Sequence, residues 1–411
     1  MSVGFQVALT IPEVSVAGTP SEKSSDDPAF LRLCHHPIVA RVAIVAARAG
    51  AERITLLGSD QALERARELL QSERRLRDVE LRFGDAIEDE DDLPVIDARA
   101  DVDVPKEVFQ QLSAAKRAMQ VPGFPEIANR LEGEPKPLWQ GTPPENLYAT
   151  PIRSRADLKE AKRTIIHHTR SFKPRGPVTR YTNEHISLPL SMLLMDTPVT
   201  ANQVTAVSAA FVALSAYLLA SPSLALMALG GVLLHLSSIT DCIDGELARA
   251  RFTESKFGAW FDVVTDHVTY PLILVGIFIG YQHLAIAEGV AWAPYILQIA
   301  VGVIGLTTLC VGGMFFYMHV RRLGIAMTYL VEGIRAAGQD GNVVYKILDG
   351  LTALGRRSAI TMAFMITTVL AGLGVTAALH FLFFAIMVFV VLANVYLLLG
   401  VMHARERKVG A

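Results

Sequence analysis

The chain has 411 residues, 51% hydrophobic and 19% charged, with a formal net charge of -2 and a mean hydropathy of +0.36. That average is too apolar for an ordinary soluble enzyme, and the near-neutral balance, with no dense Lys/Arg stripe, argues against a nucleic-acid binder. Cys34, Cys242 and Cys310 are widely separated, which fits a reducing compartment and excludes a zinc-like spacing or a disulfide framework.

Residues 1–20 have no cationic stretch ahead of a sustained apolar core, so no cleaved signal peptide is expected. Through residue 170, short apolar runs alternate with amphipathic patterns, the grammar of an α/β domain. Strands are expected at 5–11, 53–57, 79–83 and 95–98, and helices at 38–47, 62–70 and 155–169. Pro105 is placed to open a further helix in its first turn. The acidic run 88–92 reads as a solvated loop, 122–144 as a Pro- and Gly-rich excursion or connector, and 147–152 as a return to the sheet.

From Val199 onward apolar runs dominate, and six helices are expected at 201–220, 223–249, 257–280, 293–320, 357–379 and 381–402. Each is long enough to cross a hydrocarbon core of roughly 30 Å. Lys and Arg gather between the second and third helices, between the fourth and fifth, and after the sixth, whereas the loop 281–290 has none. The positive-inside rule therefore puts both termini in the cytoplasm of a multi-pass membrane protein. The expected organisation is a cytoplasmic α/β domain over 1–170, an amphipathic juxtamembrane connector over 171–198, and an all-α six-helix membrane domain over 199–411.

Four carboxylates interrupt this apolar half: Asp241, Asp244, Asp262 and Asp266. Each acid at a helix centre costs roughly 3 kcal/mol in hydrocarbon, so four uncompensated ones would cost on the order of 10 kcal/mol. Asp241, Asp244, Gly245 and Ala248 share one helix face, as do Gly258, Asp262 and Asp266 at spacing four on the next helix. Opposed, these faces gather hard oxygen ligands suited to magnesium, manganese or calcium. Gly245 and Gly258 remove side chains where a ligand or a facing backbone must approach. On the residues alone, a cation or proton pathway and a non-catalytic membrane scaffold stay open beside an enzyme.

The pattern D-x2-D-G-x2-A-R-x8-G-x3-D-x3-D, met by Asp241, Asp244, Gly245, Ala248, Arg249, Gly258, Asp262 and Asp266, resembles that of the CDP-alcohol phosphotransferase family. The resemblance implies transfer of a substituted phosphate from a CDP-linked donor to an alcohol acceptor, with release of CMP. It implies two divalent cations, Mg2+ or Mn2+, on Asp241, Asp244, Asp262 and Asp266, with Asp266 also the general base. Gly245, Ala248, Arg249 and Gly258 would line the nucleotide site. Pro198-Val-Thr-Ala-Asn-Gln-Val-Thr205 is similar to the family's Pro-x3-Asn-x2-Thr helix start, which adds Asn202 and Thr205 to that pocket. A homodimer is implied as well.

Arg321, Arg322, Arg356 and Arg357 are candidates for holding a phosphate on the acceptor, inositol phosphate being one possibility, and equally for anchoring helix ends. The whole layout resembles fused inositol-phosphate cytidylyltransferase/di-myo-inositol-phosphate-phosphate synthase proteins, whose N-terminal domain is nucleotidyltransferase-like. Here Arg356-Arg357-Ser358 replaces their Arg-Arg-Asp, and Arg175 and Glu184 depart from their usual Asp and Arg. Residues 8–20 hold one glycine, Gly18, and no Lys or Arg to cradle a triphosphate, so the N-terminal domain is expected to be non-catalytic.

Overall fold

The computed structural model describes residues 4–12, 27–84, 86, 93–144, 146–171, 176–320, 357–389 and 392. It separates into two compact units, one of Met1–Pro174, Leu188–Val199 and Glu246–Thr253, the other of Arg175–Ser187, Thr200–Gly245 and Glu254–Ala411.

In the first unit, strand β1 (Phe5–Thr10) is followed by a two-stranded ribbon, β2 (Arg32–Leu33) and β3 (His36–Pro37), then helix α1 (Ile38–Ala49), β4 (Ala51–Leu57), α2 (Asp60–Gln71) and β5 (Glu80–Gly84). Next come β6 (Val95–Arg99), β7 (Val102–Asp103), α3 (Lys106–Ala114), β8 (Met119–Val121), β9 (Phe124–Asn129), β10 (Lys136–Pro137), β11 (Thr150–Pro151) and α4 (Asp157–Ser171). Among the described residues the main sheet has seven strands in the order β10-β8-β9-β6-β1-β4-β5. β1, β4, β5 and β6 run parallel, and β9 pairs antiparallel with β6 and β8.

β1 is central, so Phe5, Val7, Ala8 and Leu9 are all buried, as expected of a parallel strand covered on both faces. Helix α1 buries nearly every residue, Arg41 included, and stops at Gly50, whose φ of 106° gives the left-handed cap that closes onto the carbonyls of Ala46 and Ala47. The predicted strands and helices of this unit are present with ends shifted by a few residues, and Pro105 caps α3. Two expectations need correction. Residues 122–144 are not a bare connector, because β9 and β10 lie there and join the sheet. Thr150–Pro151 does not return to the main sheet but pairs antiparallel with β7 in a ribbon of its own.

The turn between β2 and β3 is two residues long, with Cys34 at φ 51° and His35 at φ 77°. Two successive left-handed residues are what a type I′ hairpin requires, and in non-glycine residues such conformations cost of order 1–3 kcal/mol each.

Helix α5 (Glu184–Leu194) opens from a π-helical turn at Thr179–Asn183. It exposes Ile186, Leu190 and Leu193 while Asn183, Ser187 and Ser191 are buried, an amphipathic division at helical spacing. The chain after α5 is held by Arg251, whose guanidinium donates to the carbonyls of Met195 (2.9 Å), Thr197 (2.7 Å) and Val199 (2.5 Å), and also to that of Leu194.

The second unit is helical: α6 (Ala201–Leu219), most of α7 (Leu224–Ala250), α8 (Lys256–Ala287), α9 (Ile296–Val320), α10 (Arg357–Gly372) and α11 (Ala377–Phe389). Among the described residues Ala201–Leu219, Leu224–Ala250 and Val268–Ala287 are long and apolar enough to cross a membrane. α8 runs on through residues 281–287, which had been expected to be loop, because Tyr281 and Ala285 are buried on the helix face that packs into the core. The expected helix 357–379 ends instead at Gly372, and the chain turns at Gly374 (φ 97°) before α11. The end of the expected helix 381–402 lies outside the described residues.

α6 and α8 pack backbone to backbone. A Cβ on Gly276 would stand 2.5 Å from the carbonyl oxygen of Ala216, and one on Gly280 would overlap that of Leu219. This Gly-x3-Gly pair lets the two helices approach as small residues do in membrane bundles.

Candidate active site

The site is assembled by the N-terminal turn of α6, the C-terminal half of α7 and the first turns of α8. α6 starts with a capping box, in which Thr200 Oγ1 accepts from the Gln203 amide and the Gln203 side chain accepts from the Thr200 amide. α8 starts with Ser255, whose Oγ accepts from the Gly258 amide at 2.9 Å. These caps fix the register of Asn202 and Thr205 on one helix and of Gly258, Asp262 and Asp266 on the other.

Asp241, Asp244 and Asp262 converge, with one carboxylate oxygen from each within 4.8 Å of the others. Three hard anionic ligands this close repel one another, so the arrangement suits a divalent cation that takes oxygen ligands. Thr205 Oγ1 donates to Asp244 Oδ2 at 2.6 Å, and Asp244 is buried. Arg357 Nη1 donates to Asp241 Oδ1 at 2.6 Å, and its other amino group reaches Ser208 Oγ at 3.4 Å. Of the acceptor candidates, Arg357 thus stands at the edge of the carboxylate cluster, while Arg321, Arg322 and Arg356 lie outside the described residues.

Asp266 follows Asp262 by one turn of α8; its side chain is outside the described residues. Asn202 Oδ1 lies 3.4 Å from where a Cβ on Gly258 would sit, so the two predicted pocket residues adjoin each other across a gap that the glycine keeps open. Gly245, Ala248 and Arg249 continue α7 in order, all partly accessible, with Ala248 and Arg249 in its final turn.

Reading the motif alone misses residues in its variable positions. Glu246, directly after Gly245, is buried: Nε and Nη2 of Arg170 reach its Oε1 at 2.8 and 2.7 Å, and Ser191 Oγ donates to Oε2 at 2.6 Å. Nothing in the spacing singles it out, although an acid beside a Gly in an apolar helix is itself a signal. The role of Arg357 toward Asp241 was equally invisible, since the two are far apart in sequence.

The acids at the ends of β6 and β7 are occupied by internal pairs. Arg99 forks onto Asp101 at 2.9 and 2.8 Å, and Asp103 is fully buried between Arg41 Nε (2.8 Å) and the Tyr148 hydroxyl (2.8 Å). Burial and the Asp103 charge both push the Tyr148 phenol well above its ordinary range.

A family model for CDP-alcohol phosphatidyltransferases matches residues 198–404, half of the chain. The bifunctional IPC transferase and DIPP synthase of Rubrobacter xylanophilus is 37% identical over 175 residues, which are 42% of this chain and 36% of that protein. Proteins of the same name from Thermococcus kodakarensis and Aquifex aeolicus are 37% and 38% identical over 122 and 113 residues, or 30% and 27% of this chain and 27% and 24% of theirs. The matches span little more than a third of these relatives' own length at most. With the motif on two adjoining helices and the family model covering the helical half, the chain belongs to the CDP-alcohol phosphatidyltransferase family.

Proposed function

We propose that the protein transfers a substituted phosphate from a CDP-linked donor to the hydroxyl of an alcohol acceptor and releases CMP. The observation that carries this reading is the convergence of Asp241, Asp244 and Asp262 on adjoining helices within a family whose reaction needs a charged diphosphate handled beside a membrane. Bound divalent cations, Mg2+ or Mn2+, supply Lewis-acid stabilisation of the phosphoryl oxygens and of the leaving CMP.

The chain's own groups have separable tasks. Asp241, Asp244 and Asp262 would hold the cations, and Thr205 orients Asp244 by its hydrogen bond. Asp266, one turn beyond Asp262, takes the proton from the acceptor hydroxyl as the O–P bond forms. Gly245, Ala248, Arg249, Gly258, Asn202 and Thr205 line the nucleotide site, where the absence of side chains at the two glycines admits the pyrimidine and diphosphate. Arg357, paired with Asp241 at the edge of the carboxylate cluster, is the candidate for holding a phosphate on the acceptor, since a guanidinium binds such a group bidentately.

The relatives' name favours, for this chain, an inositol-phosphate acceptor and a CDP-alcohol donor; CDP-diacylglycerol is the second donor to test. The protein is a multi-pass homodimer with both termini in the cytoplasm. Its α/β domain is non-catalytic, since residues 8–20 offer one glycine, Gly18, and no Lys or Arg to cradle a triphosphate. The test is CMP release by the purified protein with Mg2+, from CDP-inositol and CDP-diacylglycerol in turn, against inositol phosphate, inositol, glycerol phosphate and serine. Acceptor-dependent release that Asp266→Asn abolishes supports the reading. Absence of any CDP-nucleotide binding contradicts it.

A further inference from the structure

Helix α7 ends in an unusual way. Thr253 N–H closes onto the Ala248 carbonyl at 2.9 Å and Phe252 N–H onto that of Arg249 at 3.2 Å, the two bonds of a Schellman cap. The residue at the left-handed position of such a cap is usually glycine; here it is Phe252, at φ 56°. The Phe252 ring lies under two guanidinium groups of α1, Arg41 at 4.6 Å and Arg48 at 5.3 Å from its centre, and beside His36 at 6.2 Å.

The backbone around the ring is gripped by the same unit. Arg41 Nη1 donates to the Ala250 carbonyl at 2.6 Å, His36 Nε2 to that of Arg251 at 3.1 Å, and Arg75 Nε to that of Phe252 at 3.1 Å. The Ala250 and Arg251 carbonyls are among those a helix end leaves without partners. One turn earlier, Glu246 is held by Arg170 and Ser191. His36 owes its position to the strained Cys34-His35 turn, and Arg41 is fixed from behind by Asp103. Backbone strain, a buried ion pair and an aromatic key all serve one object, the final two turns of the motif helix.

We infer that the α/β domain is a holdfast for the motif helix: Phe252 is the key, Arg41, Arg48 and His36 are the lock, and Glu246 with Arg170 is a second fastening that fixes the helix's rotation. Glu246 follows Gly245 directly, and Asp244 and Asp241 precede it on the same continuous helix, on a different face. Rotation set at Glu246–Phe252 is therefore transmitted along the helix to the carboxylates. Phe252, Glu246 and Arg170 are positioning residues; they touch neither substrate nor cation. The inference rests on the metal-site reading above but not on transfer itself.

The experiment is Mn2+ binding to the full-length protein followed by electron paramagnetic resonance, with amide hydrogen exchange over residues 241–253, on Phe252→Gly, Phe252→Tyr, Ser191→Ala and Asp262→Asn. Phe252→Gly removes the left-handed strain, so a merely local role predicts slower exchange and unchanged metal affinity. The holdfast predicts faster exchange and metal affinity lowered roughly tenfold or more, as for loss of an outer-shell support, with Phe252→Tyr keeping near-native values. If Phe252→Gly does not fold, Ser191→Ala decides: it removes one bond to Glu246 and should raise exchange at 244–248. Native exchange and affinity in both Phe252→Gly and Ser191→Ala would overturn the holdfast. Should Asp262→Asn keep full Mn2+ affinity, the metal-site reading fails instead, and exchange alone then judges the holdfast.

Discussion

Replacing Arg170 with methionine should be one of the most damaging single changes in the chain, and replacing its partner as well should repair most of the harm. Arg170 is 5% exposed and Glu246 is 3% exposed, with two nitrogen–oxygen distances of 2.8 and 2.7 Å between them. Methionine would leave the Glu246 carboxylate buried with Ser191 as its remaining donor from this cluster, and breaking a buried pair from one side costs about 3–5 kcal/mol. The double variant Arg170→Met/Glu246→Leu removes the charge that was stranded; apolar replacement of a buried pair is often neutral or stabilising by about 1–4 kcal/mol. Thermal and denaturant unfolding of the full-length protein in one detergent, for wild type, both single variants and the double, closes the cycle. The reasoning is refuted if Arg170→Met loses less than about 1 kcal/mol, the range of an exposed pair, or if the double is as unstable as the sum of the singles. Stability recovered without metal affinity would further separate packing from helix rotation.

Burial, opposed by the hydrogen bond to the Arg251 carbonyl, pushes the His36 imidazole down to about 4. Its folded value lies below the unfolded one, so stability is complete above roughly pH 6.5 and is lost as pH falls toward 4, by up to about 3 kcal/mol; His36→Gln should flatten that part of a stability-versus-pH profile. Thr205→Val removes the donor to Asp244 and is expected to lower Mn2+ affinity about 10- to 100-fold, with Thr205→Ser close to native, read by titration. Gly280→Ala drives a methyl into the Leu219 carbonyl and should cost about 1–3 kcal/mol of unfolding stability.

Much of the site was legible because its residues recur at helical spacing on two neighbouring helices. Asp241 and Asp244, then Gly258 and Asp262, declare their faces without any knowledge of packing, and the structure brings three of these acids together. Asn202 and Thr205 were readable only through the resemblance; Asn202 lies beside Gly258, and Thr205 donates to Asp244. What escaped was long-range or low in contrast. Arg357 meets Asp241 through the fold, and no local pattern announces a pair so distant. β9 hides in a stretch where Pro122, Gly123 and Pro125 suppress a strand signal, yet Ile127 and Asn129 are buried in the sheet. Residues 281–290 read as a loop beyond an expected helix end at 280, whereas the helix continues to carry Tyr281 and Ala285 into the core. Phe252 violated a local rule, a bulky residue where glycine belongs, and such violations concentrate where a fold is under functional demand.

The most direct test of the central claim is 31P nuclear magnetic resonance of the purified protein with Mg2+, CDP-inositol and inositol phosphate, following the diphosphate signals of the donor. Transfer replaces them with one phosphodiester and one CMP resonance in equal amounts, and Asp262→Asn and Asp266→Asn leave the donor intact. Persistence of the donor diphosphate with the wild-type protein, for this pair and for CDP-diacylglycerol with the same acceptors, would contradict the assignment of a phosphotransferase.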